Sequence, residues 1–194
     1  MSALVREIKP VITPLIKPVK KIVYGIRHAE AWHNILYESF GVKAYSMFQD
    51  TTLTARGMQQ AVNANKPDVD IVLVSPCIRT LQTASIMFPN TPKIALECLK
   101  EYPQENEICN QRSSKSFLQK CFSDINFNDL KTEHQEWPNT QRTPLENKKI
   151  IVSFINNRDE SRIAVVSHST WLKYYINGDL NGDPELEHCV AYKL

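Results

Sequence analysis

A chain of 194 residues, of which 42% are hydrophobic and 23% charged, is long enough for one substantial core and is near the usual size of a single domain. The formal net charge is only +2, with basic and acidic residues intermingled, which argues against a nucleic-acid-binding surface. No apolar run is long enough for a membrane span, and the five cysteines form no CxxC pair, so we expect no membrane association, no disulfide or zinc framework, and a cytoplasmic location.

Prolines recur at regular spacing near the N-terminus, at Pro10, Pro14 and Pro18. Because proline lacks a backbone donor, this spacing favours an extended arm over a helix. We therefore predict an N-terminal extension over residues 1–20, followed by one folded domain over residues 21–194.

Strands and helices alternate along the predicted domain. Continuous apolar runs predict buried strands over residues 21–26, 70–74 and 162–166, with a shorter strand over 93–96. Residue spacing predicts helices over 54–65, 79–88 and 144–156, and the last begins with a capping box and a proline at its first position. This alternation indicates an α/β domain with a mainly parallel sheet.

Charged and polar side chains follow the predicted strands, at the edge where parallel α/β sheets bind ligands. Arg27 and His28 follow the first strand, and Arg79 begins the helix after the second. Glu101 comes shortly after the third strand, and His168 follows the last. Two arginines and two histidines brought together repel one another unless an anion lies between them, and phosphate matches the donors of both residue types. The pattern therefore predicts a phosphate site.

Four segments resemble the motifs of the histidine phosphatase superfamily, in the branch that contains phosphoglycerate mutases and many small phosphatases. IRHAEAWHN at 26–34 is similar to the Arg-His-Gly signature, with Ala29 in place of the glycine. DTTLTARGMQQA at 50–61 is similar to the Asp-x-x-Leu-Thr-x-x-Gly-x-x-Gln-Ala segment. SPCIRTLQTA at 75–84 resembles the Ser-x-x-x-Arg-x-x-x-Thr-Ala element, and VVSHS at 165–169 resembles the element of the second histidine.

The resemblance implies a three-layer α/β sandwich of the phosphoglycerate mutase type, with a mainly parallel central sheet flanked by helices. It also implies a metal-independent phosphatase without a cofactor, in which His28 attacks phosphorus and becomes phosphohistidine. The nucleophilic nitrogen must be unprotonated, so the other ring nitrogen of His28 needs an acceptor such as a backbone carbonyl. The residues that the resemblance assigns to phosphate binding are Arg27, Asn34, Arg79, His168 and Ser169.

The proton donor that the resemblance implies is a glutamate after the third predicted strand, and Glu101 fits that place. Glu97 and Glu105 are the nearest rivals. The other branch of the superfamily uses an aspartate directly after the second histidine, where this sequence has Ser169. That difference favours Glu101.

The polar segment over residues 104–137 predicts an insertion over the pocket, with a short helix over 116–122. Such a segment commonly carries substrate recognition, although a solvated surface is the alternative for its charged residues. The possible substrate contacts outside the motifs are Arg56, Arg112 and Lys115. The histidines that lack metal-ligand spacing, and that we expect on the surface or in local hydrogen bonds, are His33, His134 and His188.

The sequence leaves the substrate open between a phosphorylated small molecule and a phosphoprotein. A phosphoglycerate mutase and an inactive phospho-ligand-binding or scaffold protein are the alternatives to a phosphatase. Phosphoglycerate mutases of the family carry basic substrate-gripping residues after the catalytic glutamate, whereas YPQENE at 102–107 is acidic. This difference favours hydrolysis over transfer.

Overall fold

The computed structural model describes residues 20–102, 107–135, 142–180 and 186–194. All but the last residue of the predicted N-terminal extension lies outside these ranges, as does Glu105, one of the two rival proton donors. The two ends of the predicted insertion, 104–106 and 136–137, also lie outside the described residues.

A six-stranded sheet forms the centre of the described domain. Its strands are β1 (Ile22–Arg27), β2 (Ile71–Val74), β3 (Lys93–Ala95), β4 (Ile125–Asn126), β5 (Arg162–Ser167) and β6 (Ala191–Lys193). The strand order is β4-β3-β2-β5-β1-β6, and every neighbouring pair is parallel except β1 and β6. The prediction of a mainly parallel α/β sheet is confirmed.

The two central strands explain why apolar runs mark this sheet. Every residue of β2 is buried, and so are the last five residues of β5. A strand covered on both faces has no polar face to alternate with, so its sequence is continuously apolar. In the β1–β5 register Arg27 pairs with Ser167, and therefore His28 and His168 leave the sheet side by side.

Helices cover both faces of the sheet. They are α1 (Trp32–Phe40), α2 (Ala55–Asn63), α3 (Ile78–Met87), α4 (Lys115–Cys121), α5 (Pro144–Asn156) and α6 (Ser169–Asn177). Residues of α2, α3 and α4 belong to one buried apolar cluster, and residues of α5 and α6 belong to a second. The three-layer sandwich is therefore confirmed. None of the described helices has the length and apolar character needed to span a bilayer.

The helix starts follow local capping chemistry. The predicted capping box before α5 is present, because the Glu146 amide donates to Thr143 Oγ1 at 3.2 Å and the Thr143 amide donates to Glu146 Oε2 at 2.7 Å. Thr54, predicted inside a helix, is the N-cap of α2. The sequence analysis missed α1, whose one buried residue is His33. Its apolar side chains Trp32 and Phe40 are exposed, so α1 lacks the buried apolar face that spacing detects.

The segment predicted as an insertion over the pocket is divided between two roles. Its short 3₁₀ helix, Ile108–Asn110, contributes to the pocket described below. The later part forms α4 and β4 at the edge of the sheet, and Leu118, Phe127 and Leu130 are buried in the core. Most of this segment is therefore part of the packed domain.

Gly57 lies where α2 packs directly on the loop after β1. A Cβ atom at this position would lie 2.0 Å from the carbonyl oxygen of Glu30, which also accepts a hydrogen bond from the Thr54 amide at 3.0 Å. The loop that carries His28 is therefore held against the backbone of α2.

Gly57→Ala should destabilise the protein by about 1–3 kcal/mol, because the methyl group forces these two backbone segments apart. The direction is informative, since glycine-to-alanine changes inside helices usually stabilise by roughly 0.5–1 kcal/mol. Urea unfolding measures the change, with Gln59→Ala on the exposed side of α2 as the control, expected within about 0.5 kcal/mol of wild type. Equal or higher stability of Gly57→Ala would contradict the prediction.

Candidate active site

A cavity of about 250 Å³ lies at the carboxyl ends of the strands. The site residues predicted from the sequence that line it are Arg27, His28, Asn34, Arg79, Glu101 and Ser169. His168 is completely buried next to this group, with its ring centroid 5.2 Å from that of His28. The structure thus brings together the predicted residues from the ends of β1 and β5, the start of α3 and the loop after β3.

His28 is held rigidly in the loop after β1. Its backbone amide donates to the Ser167 carbonyl at 3.0 Å, and its Nδ1 lies 2.7 Å from the Ala29 carbonyl. A carbonyl only accepts, so the proton is on Nδ1 and Nε2 carries the lone pair. Burial, followed by the charge of Arg79, lowers the pKa of His28 well below its usual value. The ring is therefore neutral near pH 7 and has a nucleophilic nitrogen.

The guanidinium of Arg79 is oriented by the 3₁₀ helix Ile108–Asn110 and by His168. It donates to the Cys109 carbonyl at 2.7 Å, to Asn110 Oδ1 at 2.6 Å and to His168 Nδ1 at 3.0 Å. Arg79 Nε is buried and has no hydrogen-bond partner among the described residues. Across the cavity, Arg27 Nη1 donates to the Leu186 carbonyl at 2.7 Å. Two fixed positive charges thus border the nucleophile.

Both ring nitrogens of His168 have protein partners. Nδ1 accepts from Arg79, and Nε2 lies 2.8 Å from Ser75 Oγ. A guanidinium only donates, so His168 is neutral, and burial followed by Arg79 lowers its pKa. In this arrangement His168 links Arg79 to Ser75. A contact between His168 and a phosphate oxygen requires one of these two hydrogen bonds to be exchanged.

Glu101 joins the cavity to the beginning of α6. Its carboxylate accepts from the amides of Tyr102 at 2.9 Å, Thr170 at 3.2 Å and Trp171 at 2.9 Å. Burial raises the pKa of Glu101, and these three hydrogen bonds oppose the rise. The rival Glu97 lies elsewhere, since its carboxylate binds Arg112 at 2.5 Å and Lys100 at 3.3 Å.

Arg112, a possible substrate contact from the sequence, does not line the cavity. Its side chain is fully buried, and besides Glu97 it donates to the carbonyls of Ser113, Glu133 and Thr132. It therefore cross-links chain segments away from the cavity. Two other candidates also do not line the cavity: Lys115 donates to the Leu130 carbonyl at 2.8 Å, and the exposed Arg56 lies 3.4 Å from Glu30.

Two of the three histidines without metal-ligand spacing lie beside the nucleophile. The ring centroid of His33 is 5.6 Å from that of His28, and the ring centroid of His188 is 5.7 Å from it. Their hydrogen bonds are not local in sequence: His33 pairs with Thr51 Oγ1, 18 residues away, and His188 with the His28 carbonyl, 160 residues away. His134 is exposed. The sequence signal that could have placed His33 near the site was its position five residues after His28.

The cavity also contains residues that the sequence analysis did not assign to it. They are His33, Tyr45, Tyr102, Glu107, Cys109, Asn110, Thr170 and Lys173. Glu107 is held by Asn110 Nδ2, which donates to its Oε2 at 2.7 Å. His33 lies within the 26–34 motif, whereas the others reach the cavity only through the folding of α6 and of the segments around residues 45, 102 and 108.

Motif side chains hold the backbone around the nucleophile. The Ala29 amide donates to Thr83 Oγ1 at 3.0 Å, the Glu30 amide to Gln60 Oε1 at 2.9 Å and the Ala31 amide to Asn34 Oδ1 at 2.9 Å. Three successive amides are thereby satisfied by side-chain oxygens. Ala29 itself is buried and does not need positive φ, since the described non-glycine residues with positive φ are Asp50 and Cys189.

A neutral, nucleophilic histidine between two arginines at the carboxyl edge of a parallel sheet defines a site for a phosphoryl group. The chain belongs to the histidine phosphatase superfamily (branch 1), whose sequence model matches residues 23–190. Membership confirms the resemblance seen in the motifs and supports an activity of the phosphatase or mutase type.

Individual proteins show the same relationship. A phosphoglycerate mutase-like protein 1 from Arabidopsis thaliana is 27% identical over 201 residues, covering 81% of this chain and 71% of that protein. The alpha-ribazole phosphatase of Shigella flexneri is 20% identical with a TM-score of 0.56, covering 88% of each chain. The phosphoglycerate mutase of Thermus thermophilus is 13% identical with a TM-score of 0.52, covering 89% of this chain and 92% of that one. These structures share the fold.

Asp50 connects the helix of Arg79 to the segment that orients it. Its buried carboxylate accepts from the Ile78 amide at 2.8 Å and from the Ser113 amide at 2.6 Å. The N-cap residue of α3, Cys77, makes no side-chain capping bond, so Asp50 supplies that acceptor from a distance.

Asp50→Ala should lower the free energy of unfolding by about 2–4 kcal/mol, because two amides lose a charged acceptor. Denaturant unfolding measures the change in stability. The affinity for tungstate, a tetrahedral dianion that resembles phosphate, should fall at the same time because Arg79 loses its alignment. Asp68→Ala is the control, since that carboxylate is 83% exposed and pairs with Arg162 at the surface, and it should cost less than about 1 kcal/mol. Wild-type stability of Asp50→Ala would show that the amides find other partners.

Proposed function

We propose that this protein is a metal-independent phosphoric monoester hydrolase that works through a phosphohistidine on His28, with Glu101 as the proton donor. The observation that carries the proposal is the state of His28. Its Nδ1 is committed to the Ala29 carbonyl and its Nε2 is unprotonated, while Arg27 and Arg79 border the same cavity. This is the arrangement that an in-line attack on a phosphate ester requires.

In the first step the lone pair of His28 Nε2 forms a bond to phosphorus as the ester P–O bond breaks. The leaving alkoxide takes a proton from the Glu101 carboxyl and departs as the alcohol. Arg27 and Arg79 donate to the phosphoryl oxygens, so charge that spreads over them meets donors already in place. The bound phosphate dianion favours the protonated form of Glu101 that this step needs.

In the second step Glu101, now a carboxylate, removes a proton from water as the water oxygen attacks phosphorus. The P–N bond breaks, and its electron pair returns to His28 Nε2. Inorganic phosphate leaves, and Glu101 is again protonated. The enzyme is regenerated without any group other than its own side chains and water.

The segment after Glu101 contributes an acidic side chain, Glu107, to a cavity whose basic side chains are Arg27, Arg79 and Lys173. A phosphoglycerate brings a carboxylate as well as a phosphate, and Glu107 repels a carboxylate that lies on its side of the cavity. This favours hydrolysis over phosphoglycerate interconversion. The proposed substrate is therefore the phosphate ester of a small molecule or a phosphoprotein, with no carboxylate required next to the ester.

Turnover should leave an acid-labile, alkali-stable phosphoryl group on the protein, because a phosphorus–nitrogen bond to imidazole is stable only in alkali. The measurement uses a radiolabelled ester quenched in acid and in alkali, in excess chelator. His28→Ala should abolish both labelling and turnover, and His134→Ala, an exposed histidine, should change neither. An acid-stable adduct, or activity of His28→Ala, would falsify the proposed intermediate.

The same preparation distinguishes hydrolysis from transfer. 3-Phosphoglycerate is supplied with a 2,3-bisphosphoglycerate primer, and both 2-phosphoglycerate and free phosphate are followed. Formation of 2-phosphoglycerate faster than phosphate release from any ester of a broad panel would identify a mutase. A lack of turnover with every ester would identify a binding protein.

Glu101→Gln should lower kcat/KM about 10²–10⁴-fold on an alkyl phosphate and much less on p-nitrophenyl phosphate, whose leaving group needs no proton. On the alkyl ester, wild-type kcat/KM should fall as pH rises through the raised pKa of Glu101, and this fall should disappear in the variant. Glu107→Gln is the matched control in the same cavity and should affect both esters equally. Equal losses with Glu101→Gln on both esters would indicate that Glu101 only holds α6.

A further inference from the structure

His33 is a buried polar residue of the cavity that the mechanism above does not use. It lies in the first turn of α1 with 6% of its surface exposed, and its ring centroid is 5.6 Å from that of His28. Nδ1 lies 2.7 Å from Thr51 Oγ1. Nε2 has no hydrogen-bond partner among the residues that the structure describes. The ring is therefore oriented from one side and available to a ligand on the other.

The partners of the three cavity-side histidines determine which of them can change charge. His28 needs an unprotonated Nε2 to react, and His168 accepts a hydrogen bond from Arg79, which only donates. A proton on His168 Nδ1 would put two donors face to face. The partner of His33 is a hydroxyl, which donates to a neutral ring or accepts from a charged one. Of these three, His33 is thus the histidine that can gain a proton without losing either the nucleophilic lone pair or the hydrogen bond from Arg79.

The charges around His33 keep it neutral in the empty site. Burial is the main cause of its lowered pKa, followed by the charges of Arg79 and Arg27 and by His188. A phosphate dianion bound by the two arginines cancels their effect and places negative charge beside the ring. The titratable groups that face His33 or share its cavity are Arg27, His28, Tyr45, Arg79, Glu101, Tyr102, Glu107, Cys109, Lys173 and His188.

We propose that His33 is an additional phosphate ligand that takes up one proton from solvent as the dianion binds, and then donates from Nε2 to a phosphoryl oxygen. This inference rests on the proposed phosphate site. The proton goes to the ring and no covalent bond changes. The empty site thereby avoids a third buried positive charge, and the occupied site gains a third cationic donor.

Calorimetry with tungstate tests the proposal, because tungstate is a tetrahedral dianion that carries no proton of its own at neutral pH. Titrations in buffers of different ionisation enthalpy give the number of protons taken up per tungstate. His33→Gln should lower this number by about one relative to wild type, and His134→Gln should not change it. Glu101→Gln serves as a second background in which uptake at that carboxylate is absent, and the drop of about one should persist there.

The affinity for tungstate should also weaken more steeply with rising pH in wild type than in His33→Gln, by up to about tenfold more for each pH unit, because binding is linked to one additional proton. Nitrogen chemical shifts of the His33 ring in wild type provide a reading that requires no folded variant: neutral without tungstate and doubly protonated with it.

Equal proton uptake in wild type and His33→Gln, or a neutral His33 ring in the tungstate complex, would overturn the inference and leave the phosphatase proposal intact. A wild-type protein that does not bind tungstate would contradict both. The two failures are therefore distinguishable in the same titration.

Discussion

The rest of the site depends on the buried positive charge of Arg79. A guanidinium does not lose its proton in a protein, so its burial is stabilised by acceptors that replace water. Two acceptors come from Cys109 and Asn110, and the third is His168 Nδ1. Because His168 Nδ1 has to accept, the ring is neutral, and its Nε2–H then donates a hydrogen bond to Ser75 Oγ. One fixed charge therefore determines the protonation of a second residue and the direction of a hydrogen-bond chain.

The same charge prepares the nucleophile. Arg79 is the strongest charged influence on His28, and it acts in the same direction as burial. An isolated buried histidine would also be neutral, but the nearby guanidinium extends this state to lower pH while providing a donor for the incoming phosphate. Arg79 keeps this position only if the start of α3 and the segment that orients its guanidinium remain aligned. The Asp50 carboxylate aligns them by accepting from the Ile78 amide on one side and the Ser113 amide on the other.

Much of the fold and the inner site follows from the sequence, because both depend on short-range patterns. Apolar runs locate the parallel strands, and parallel strands end at one edge, so residues such as Arg27, Arg79 and His168 are predicted together without knowledge of the strand order. The roles of residues in the second half of the 50–61 motif and at the end of the 75–84 motif are visible only in the folded structure. Gln60 and Thr83 accept hydrogen bonds from amides of the loop that carries His28.

The rest depends on contacts between segments far apart in the chain. Arg112 lies in a polar stretch whose composition predicts an exposed surface. It is nevertheless buried, and its partners are Glu97 and carbonyls about twenty residues further along the chain, including that of Thr132. The sequence does not predict α1 because the buried residue of this helix is polar, and it places His33 on the surface or in local hydrogen bonds because His33 lacks metal-ligand spacing. Apolar periodicity detects helices that bury an apolar face. A helix whose buried residue is a histidine in the cavity has no such pattern and is therefore missed.

In the proposed reaction, the substrate itself completes the acid. Without phosphate, the carboxylate form of Glu101 offsets the two arginines and accepts from three amides, of which those of Thr170 and Trp171 belong to the positive end of α6, while burial raises its pKa. A bound phosphate dianion takes over the neutralisation of the arginines, and the negative charge of Glu101 is then in excess. Protonation relieves that excess, so the proton required by the leaving group arrives because the phosphate has bound. If Glu101 were always protonated, the positive charges of the two arginines would be uncompensated between turnovers. This explains why Glu101 is both buried, which favours its protonated form, and hydrogen-bonded to amides, which favours its carboxylate.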